Sequence, residues 1–267
     1  MAFTTILTER RGHALWVTLN RPEALNAMSR ALVGELRELF GGLGEQRDVR
    51  VVVLRGAGRA FCAGLDLKED AGADGAVDGS VQASLRAQRR ISDLVMMMKR
   101  APQPIIAAVQ GAACGGGFAL ALGADVRIAG ESARMNAAFI RIGLSACDIG
   151  VSYFLPRMVG ASVAAELLLT GNFIDAARAE RLGLVSRVVP DTELDGAAQV
   201  LVDDMLRNSP LGLRLTKECL NASIDAGSLE QVIAMEDRNQ ILCTRSADFR
   251  EGITAFLQKR APQYGDD

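Results

Sequence analysis

Three short apolar runs govern what this 267-residue chain can fold into. Residues 50–55 carry Val51, Val52, Val53 and Leu54. Residues 104–109 carry Ile105, Ile106, Ala107, Ala108 and Val109, and residues 125–129 carry Val126, Ile128 and Ala129. A strand with one wet face alternates apolar and polar residues, whereas a continuous apolar run belongs to a strand covered on both faces. Helical patterns over 81–99 and 116–122 separate the runs, so the spacing predicts βαβ units and a largely parallel sheet. Upstream, residues 4–8 and 14–19 flank a turn-like segment at 9–13 and read as a hairpin or sharp strand pair. Ser29 is placed to cap a helix with Ala31, Leu32, Leu36, Leu39 and Phe40 on one face, ending at Gly41 and Gly42. Past residue 160 the pattern turns helical: 162–169, 175–181, 193–207, 211–226, 229–242 and 247–259, with Asp175 and Ser246 as N-caps. The expected fold class is therefore α/β, with a core over residues 1–200 and a helical region over 201–267. No repeat at a solenoid period is present. Residues 70–80, rich in Gly, Ala and Asp, read as a mobile surface loop.

Composition removes several functions. With 30 Lys+Arg against 32 Asp+Glu, there is no electrostatic case for nucleic acid binding. Five cysteines without a CxxC pair make neither a disulfide scaffold nor a zinc site. One histidine, His13, leaves no multi-His metal centre. The stretch 104–128 is the most apolar, yet it holds Gln110, Asp125, Arg127 and five glycines, which fits a strand, a turn and a buried helix better than a membrane span. The N-terminal residues meet charge too early for a secretory signal, and a reducing cytoplasmic setting is the expectation.

Two Gly-rich segments each follow a buried-strand candidate: Ala60–Lys68 after the first run, and Gln110–Phe118 after the second. In an open α/β sheet, ligands sit beyond the carboxyl ends of the strands, where both segments fall. Glycine lets backbone approach a ligand, and a helix starting at Gly116 aims free N–H groups at an anion. Two such loops side by side can each give one N–H to a single oxygen, an oxyanion hole that needs no ionisable side chain. A lone GGG before an apolar helix also serves tight helix–strand packing; the paired first loop is what points to a ligand. The segment is not a P-loop, lacking G-K-[ST], nor a dinucleotide fingerprint.

The residues Leu19-Asn20-Arg21-Pro22-Glu23-Ala24-Leu25-Asn26-Ala27, then 60–68, 111–117 and 122–129, resemble the crotonase (enoyl-CoA hydratase/isomerase) superfamily. Leu169-Thr170-Gly171, residues 179–185 and residues 251–260 continue the likeness in order over nearly the whole chain. The resemblance implies a spiral ββα core, a helical C-terminal region that builds trimers or dimers of trimers, and acyl-CoA thioester substrates. It implies no separate cofactor, since coenzyme A is part of the substrate, and no metal, nucleic acid or membrane partner. It assigns the oxyanion hole to the backbone N–H groups of Leu65 and Gly116. It runs the coenzyme along Arg21, Ala24, Leu25, Ala63, Asp66 and Leu67. It lets Lys259 or Arg260 reach a neighbouring subunit's CoA phosphate; a solvated helix end is the other reading of that pair.

One departure stands out. The resemblance places two catalytic glutamates where this chain has Ala119 and Phe139. Hydration of a conjugated double bond needs a base on the water and an acid at the α-carbon, and neither residue can serve. The segment Gly143–Gly150, which the resemblance makes the far wall of the pocket beside Phe139 and Ile142, supplies Asp148. With one insertion allowed, it falls on an aspartate used by dienoyl-CoA isomerases. Two readings of Asp148 stay open: a proton-transfer group with a raised pKa, or a carboxylate that orders its loop or caps a helix near Gly150. Arg141, Ser145 and Tyr153 rank lower. Cys62, Cys114 and Cys147 read as compact packing residues, Asp125 as structural and His13 as a hairpin residue. Three readings follow: enolate chemistry on an acyl-CoA with at most one side-chain acid (double-bond isomerisation, or hydration or C–C cleavage of an unusual acyl group), an acyl-CoA-binding protein without effective turnover, or a structural scaffold without ligand.

Overall fold

A computed structural model describes residues 3–72 and 80–265 of the chain. The loop expected at 70–80 falls mostly outside the described residues. Strands β1 (Ile6–Arg11) and β2 (Ala14–Leu19) form an antiparallel hairpin. Glu9, Arg10 and Arg11 belong to its first strand, so the turn is the two residues Gly12 and His13 rather than 9–13, with Gly12 at φ +58°. Helix α1 (Arg30–Gly42) starts as expected, with the Ser29 side chain accepting from Leu32 N–H. Strand β3 (Val51–Gly56) is followed by α2 (Leu67–Gly72) and α3 (Val81–Arg100). Strands β4 (Ile105–Val109) and β5 (Ala112–Cys114) then lead into α4 (Gly116–Gly123). Next come β6 (Val126–Gly130), β7 (Arg134–Asn136), α5 (Val151–Val159) and α6 (Ala161–Thr170). Strand β8 (Ile174–Asp175), α7 (Ala176–Arg181), β9 (Val188–Val189) and α8 (Leu194–Leu206) complete the core.

The main sheet runs β1-β2-β3-β4-β6-β9, parallel from β2 onward; a smaller sheet runs β5-β7-β8. The pairs β4–β5 and β6–β7 each send one strand to the large sheet and the next to the small one, so the chain advances as a spiral.

Burial explains the continuous apolar runs. Trp16, Val51, Val53, Ile106, Ala108 and Ile128 point to one face, where α8 covers them with Leu194, Ala198 and Val202. Leu15, Val17, Val52, Leu54, Ile105 and Ala107 point to the other, under α1, α3 and α4. Every residue of α4 is buried, so a helix apolar all round is the stable solution there.

Three helices follow: α9 (Pro210–Ser223), α10 (Leu229–Thr244) and α11 (Ala247–Leu257). Helix α8 crosses residue 200 and belongs with the sheet it covers. Helix α9 is fastened by Lys217, whose ammonium donates to the Met98 and Gln103 carbonyls at 2.9 and 2.8 Å and pairs with Asp125 at 2.8 Å. The last two helices leave Leu229, Ile241, Phe256 and Leu257 exposed, an apolar surface suited to association. No described helix is long and apolar enough to cross a membrane.

Candidate active site

The loops after β3 and β4 are laced together. Phe61 N–H donates to the Gln110 carbonyl (2.7 Å), Cys62 N–H to Ala112 (3.0 Å) and Cys114 N–H to Cys62 (2.9 Å). Glycine is required at the crossing. A Cβ on Gly117 would lie 2.1 Å from the Cys62 carbonyl oxygen. Gly64 adopts φ +99°, and a Cβ there would sit 2.9 Å from the Cys114 oxygen and 3.7 Å from the Gly116 nitrogen. The first loop thus lies directly against the start of α4.

Two N–H groups at this crossing are left over from its backbone hydrogen bonding, those of Leu65 and Gly116. Leu65 forms a parallel bridge with Met28, in which Met28 N–H donates to Gly64 and Asp66 N–H donates to Met28. In a parallel bridge the central residue's own N–H faces the opposite side. Gly116 is the first residue of α4, whose N–H has no intrahelical acceptor. Among the described residues neither N–H donates a backbone hydrogen bond. Their surroundings are apolar: a Cβ on Gly116 would meet Met28 Sδ at 2.8 Å and Ile149 Cδ1 at 3.5 Å, and one on Gly115 would meet the Phe139 ring at 3.3 Å. Ala119, one turn into α4, is fully buried, and Phe139 is nearly so. Ile149 and Gly150 border a cavity of about 500 Å³ whose wall is mostly apolar, with Val95, Met96, Phe154 and Ile224, but also carries Lys99 and Asp225.

Asp148 is half-buried in the loop before α5. Its Oδ1 accepts from Ile149 N–H at 2.7 Å and from Gln88 Nε2 at 2.6 Å. Its backbone carbonyl, not its side chain, accepts Val151 N–H at the start of α5, so the carboxyl does not cap that helix. Burial raises its pKa from the ordinary value, while the Ile149 and Gln88 hydrogen bonds pull the other way. Ile149 stands at φ +47°, a left-handed conformation that a β-branched residue rarely adopts. Ile142 is 54% exposed, so the wall it was expected to form is open to solvent on that side.

The segment expected to hold coenzyme A is itself fixed to the first loop. Asn26 is fully buried; it accepts from Arg21 N–H and donates to the Ala57 and Ala60 carbonyls. Ala63 N–H donates to Leu25, which like Asn26 has a positive φ. Arg21 pairs with Asp66 at 2.8 Å and donates to the Ala27 carbonyl, and this partner holds the Asp66 carboxyl below its usual range. Ala24 is half-buried and Leu67 is 51% exposed on the same rim. Lys259 is exposed just past α11 at φ +53°, while Arg260 is committed to Glu251.

The lower-ranked groups have other engagements. Tyr153 OH donates to Asp225, and Arg141 donates to the Gly171 carbonyl and Asn172. Burial pushes the Cys62 thiol up to about 12 and the Cys114 thiol to about 11, so neither is a thiolate nucleophile. Asp125 ties Lys99, Lys217 and Ile105 N–H together, and His13 sits exposed in the hairpin turn beside the Asp48 carbonyl. Sequence reasoning missed Met28, Ile149 and Gln88. The signal for Gln88 was present: it occupies the inward register of α3 (88, 91, 95, 98), where the other positions are Ile91, Val95 and Met98.

A spiral of alternating sheets whose loops after β3 and β4 cross at buried glycines is the architecture of a crotonase-fold protein. A family profile described as enoyl-CoA hydratase/isomerase matches residues 9–267, and the chain belongs to that family. It is 42% identical to a Mycobacterium tuberculosis protein named "Probable enoyl-CoA hydratase EchA12" over 253 residues, 94% of this chain and 89% of the other. It is 37% identical to the 1,2-epoxyphenylacetyl-CoA isomerase of Escherichia coli over 259 residues, 97% of each. The crystal structure of enoyl-CoA hydratase from Bacillus anthracis superposes with a TM-score of 0.93 at 35% identity, covering 99% of this chain and 100% of that one.

Proposed function

We propose that this enzyme acts on an acyl-CoA thioester and shifts a double bond in the acyl group through a thioester dienolate. What supports it is the pair of N–H groups of Leu65 and Gly116 left without a backbone acceptor at the loop crossing, with one carboxyl, Asp148, next to Ile149, whose side chain lies beside Gly116. The thioester oxygen accepts from both N–H groups, which stabilises the negative charge that develops when the α-proton leaves. Ionised Asp148 takes that proton from C2 of a 3-enoyl thioester. The resulting acid returns it to C4 as the double bond settles between C2 and C3. Substrate and product are isomers, so one carboxyl performs both transfers and no second acid is consumed. This suits a chain with Ala119 and Phe139 where two-carboxylate hydration would need acids. The isomerase among its relatives supports the reading, as does the largely apolar cavity bordered by Ile149, which has room for an acyl tail.

Coenzyme A enters as part of the substrate and no separate cofactor takes part. The pantetheine and adenine run along the rim at Arg21, Ala24, Leu25, Ala63, Asp66 and Leu67. The exposed apolar face of α10 and α11 is the surface of a homotrimer, which brings Lys259 to a neighbour's coenzyme phosphate. A reducing, cytoplasmic setting suits the five free cysteines.

The test is conversion of 3-hexenoyl-CoA to its conjugated isomer, followed by absorbance, beside hydration of crotonyl-CoA. Wild-type protein isomerises the first faster than it hydrates the second. Asp148→Asn lowers kcat by about 10²–10⁴-fold while acyl-CoA affinity by calorimetry stays within a few-fold. Tight binding without turnover of either thioester would refute the enzyme reading in favour of an acyl-CoA-binding protein.

A further inference from the structure

We propose that Gln88 is the positioning residue of the Asp148 carboxyl: it holds Oδ1 and turns Oδ2 into the atom that carries the proton. The proposal rests on the reading of Asp148 given above.

Three observations support it. The first is register. The outer turns of α3 are largely exposed, and its inward stripe begins at half-buried Gln88 before continuing as Ile91, Val95 and Met98. An amide in an apolar stripe costs free energy unless it is hydrogen-bonded. Its partner lies sixty residues away in sequence, at 2.6 Å. The second is asymmetry. Both hydrogen bonds to the carboxyl, from Ile149 N–H and from Gln88, fall on Oδ1; among the described residues Oδ2 has no hydrogen-bond partner. A carboxylate held at one oxygen by two donors keeps its orientation, and protonation is directed to the other oxygen. The third is chemical choice. A carboxylate only accepts, so the amide nitrogen must face it, and an amide stays neutral through the pH range in which carboxyls titrate. A Lys or Arg here would fix the carboxyl as an anion too weakly basic to take a carbon-bound proton, whereas an apolar residue would release it from one of its two anchors. The groups bearing on the carboxyl are the burial that raises its pKa and the two N–H donors that lower it. Gln88 thus sets both its aim and its basicity.

The experiment compares Gln88→Met, which keeps length and helix propensity but has no donor, with wild type and Asp148→Asn. Turnover of 3-hexenoyl-CoA is followed against pH. The Asp148 carboxyl is titrated separately by side-chain NMR on protein carrying ¹³C-labelled aspartate, a readout that needs no turnover. Loss of the donor moves the acid limb of the kcat profile and the NMR midpoint together upward by about one pH unit. It lowers kcat about tenfold, with KM within about twofold, because the substrate itself is not touched. Gln88→Glu, which keeps the shape and replaces the donor by an acceptor, moves the midpoint further in the same direction; it also serves if Gln88→Met fails to fold. An unchanged NMR midpoint and unchanged acid limb in the variants, with Asp148→Asn inactive, overturns the role of Gln88 and leaves the proposed function standing. Wild-type turnover in Asp148→Asn, or none in wild type, overturns the underlying reading, whatever Gln88 does to the NMR midpoint.

Discussion

Adding a single methyl group at Gly117 tests whether the crossing of the two loops builds the site. The new Cβ would lie 2.1 Å from the Cys62 carbonyl oxygen and 2.7 Å from the Cys62 Cβ. The first gap is about 1.3 Å short of the 3.4 Å at which ordinary contact begins, and the obstacle is backbone rather than a flexible tip. The loops must therefore part. A separation of about 1 Å takes the 2.9 and 3.0 Å bonds Cys114→Cys62 and Cys62→Ala112 beyond hydrogen-bonding range. Overpacking costs about 1–3 kcal/mol and each lost bond about 1 kcal/mol. For a chain of this size, a loss of about 4 kcal/mol lowers Tm by roughly 10 °C. Turnover suffers separately: one loop carries Leu65 and the other Gly116, and if their N–H groups form the proposed oxyanion hole, misplacing one donor lowers kcat by about 10²–10³-fold. Thermal unfolding by circular dichroism and turnover of 3-hexenoyl-CoA read the two effects. Gly34→Ala, in α1 with open space around its Cβ position, is the control and should raise Tm slightly. A Gly117→Ala protein melting within about 2 °C of wild type with full turnover would refute the reasoning.

Other changes have definite outcomes. Lys217→Met deprives the Met98 and Gln103 carbonyls of their donor and Asp125 of its buried cation, and should cost about 3–5 kcal/mol in urea unfolding, with α9 the first element to lose amide-exchange protection. Burial alone would raise the Glu35 carboxyl, but hydrogen bonds from the hydroxyls and backbone N–H groups of Thr4 and Thr5 outweigh it and hold the value at about 2 rather than the ordinary 4.5. Because the folded value is depressed, its stabilisation is complete above 4.5 and is lost as pH falls toward 2; Glu35→Gln should flatten that part of the pH–stability curve, seen in urea midpoints. Masses in solution should show a trimer or its multiple, and Phe256→Glu, at a site 82% exposed in the single chain, should shift it toward monomer.

Much of this molecule was legible as local pattern. Continuous apolar runs gave β3, β4 and β6, since strands buried on both faces have no polar alternation to hide. Ser29, Asp175 and Ser246 marked helix starts because a side-chain oxygen satisfies an otherwise orphaned N–H, and each accepts the bond expected of it. Helix α5 was legible only as a helix starting near Gly150 in one reading of Asp148, without an extent: Pro156 sits inside it and Gly150 and Gly160 flank it, so propensity gave little support to a helix that tertiary packing of Val151, Phe154 and Leu155 maintains. The hairpin turn was placed too broadly because charged Glu9, Arg10 and Arg11 lie on an edge strand, where exposed residues give no apolar signal.

For the site, the sequence determined which chemical groups exist: glycine crossings, one acid in the far loop, and no acid at positions 119 and 139. Those facts depend on residue type alone. Tertiary structure decided what the groups can do. Only folding brings Gly117 against Cys62, so that two loops fifty residues apart in sequence cross within contact distance. Only folding brings Gln88 to one oxygen of Asp148 and places strained Ile149 between that carboxyl and Gly116. Hydrogen bonds and steric exclusion act over a few ångströms, and the distances at which they act are set by packing rather than by separation along the chain.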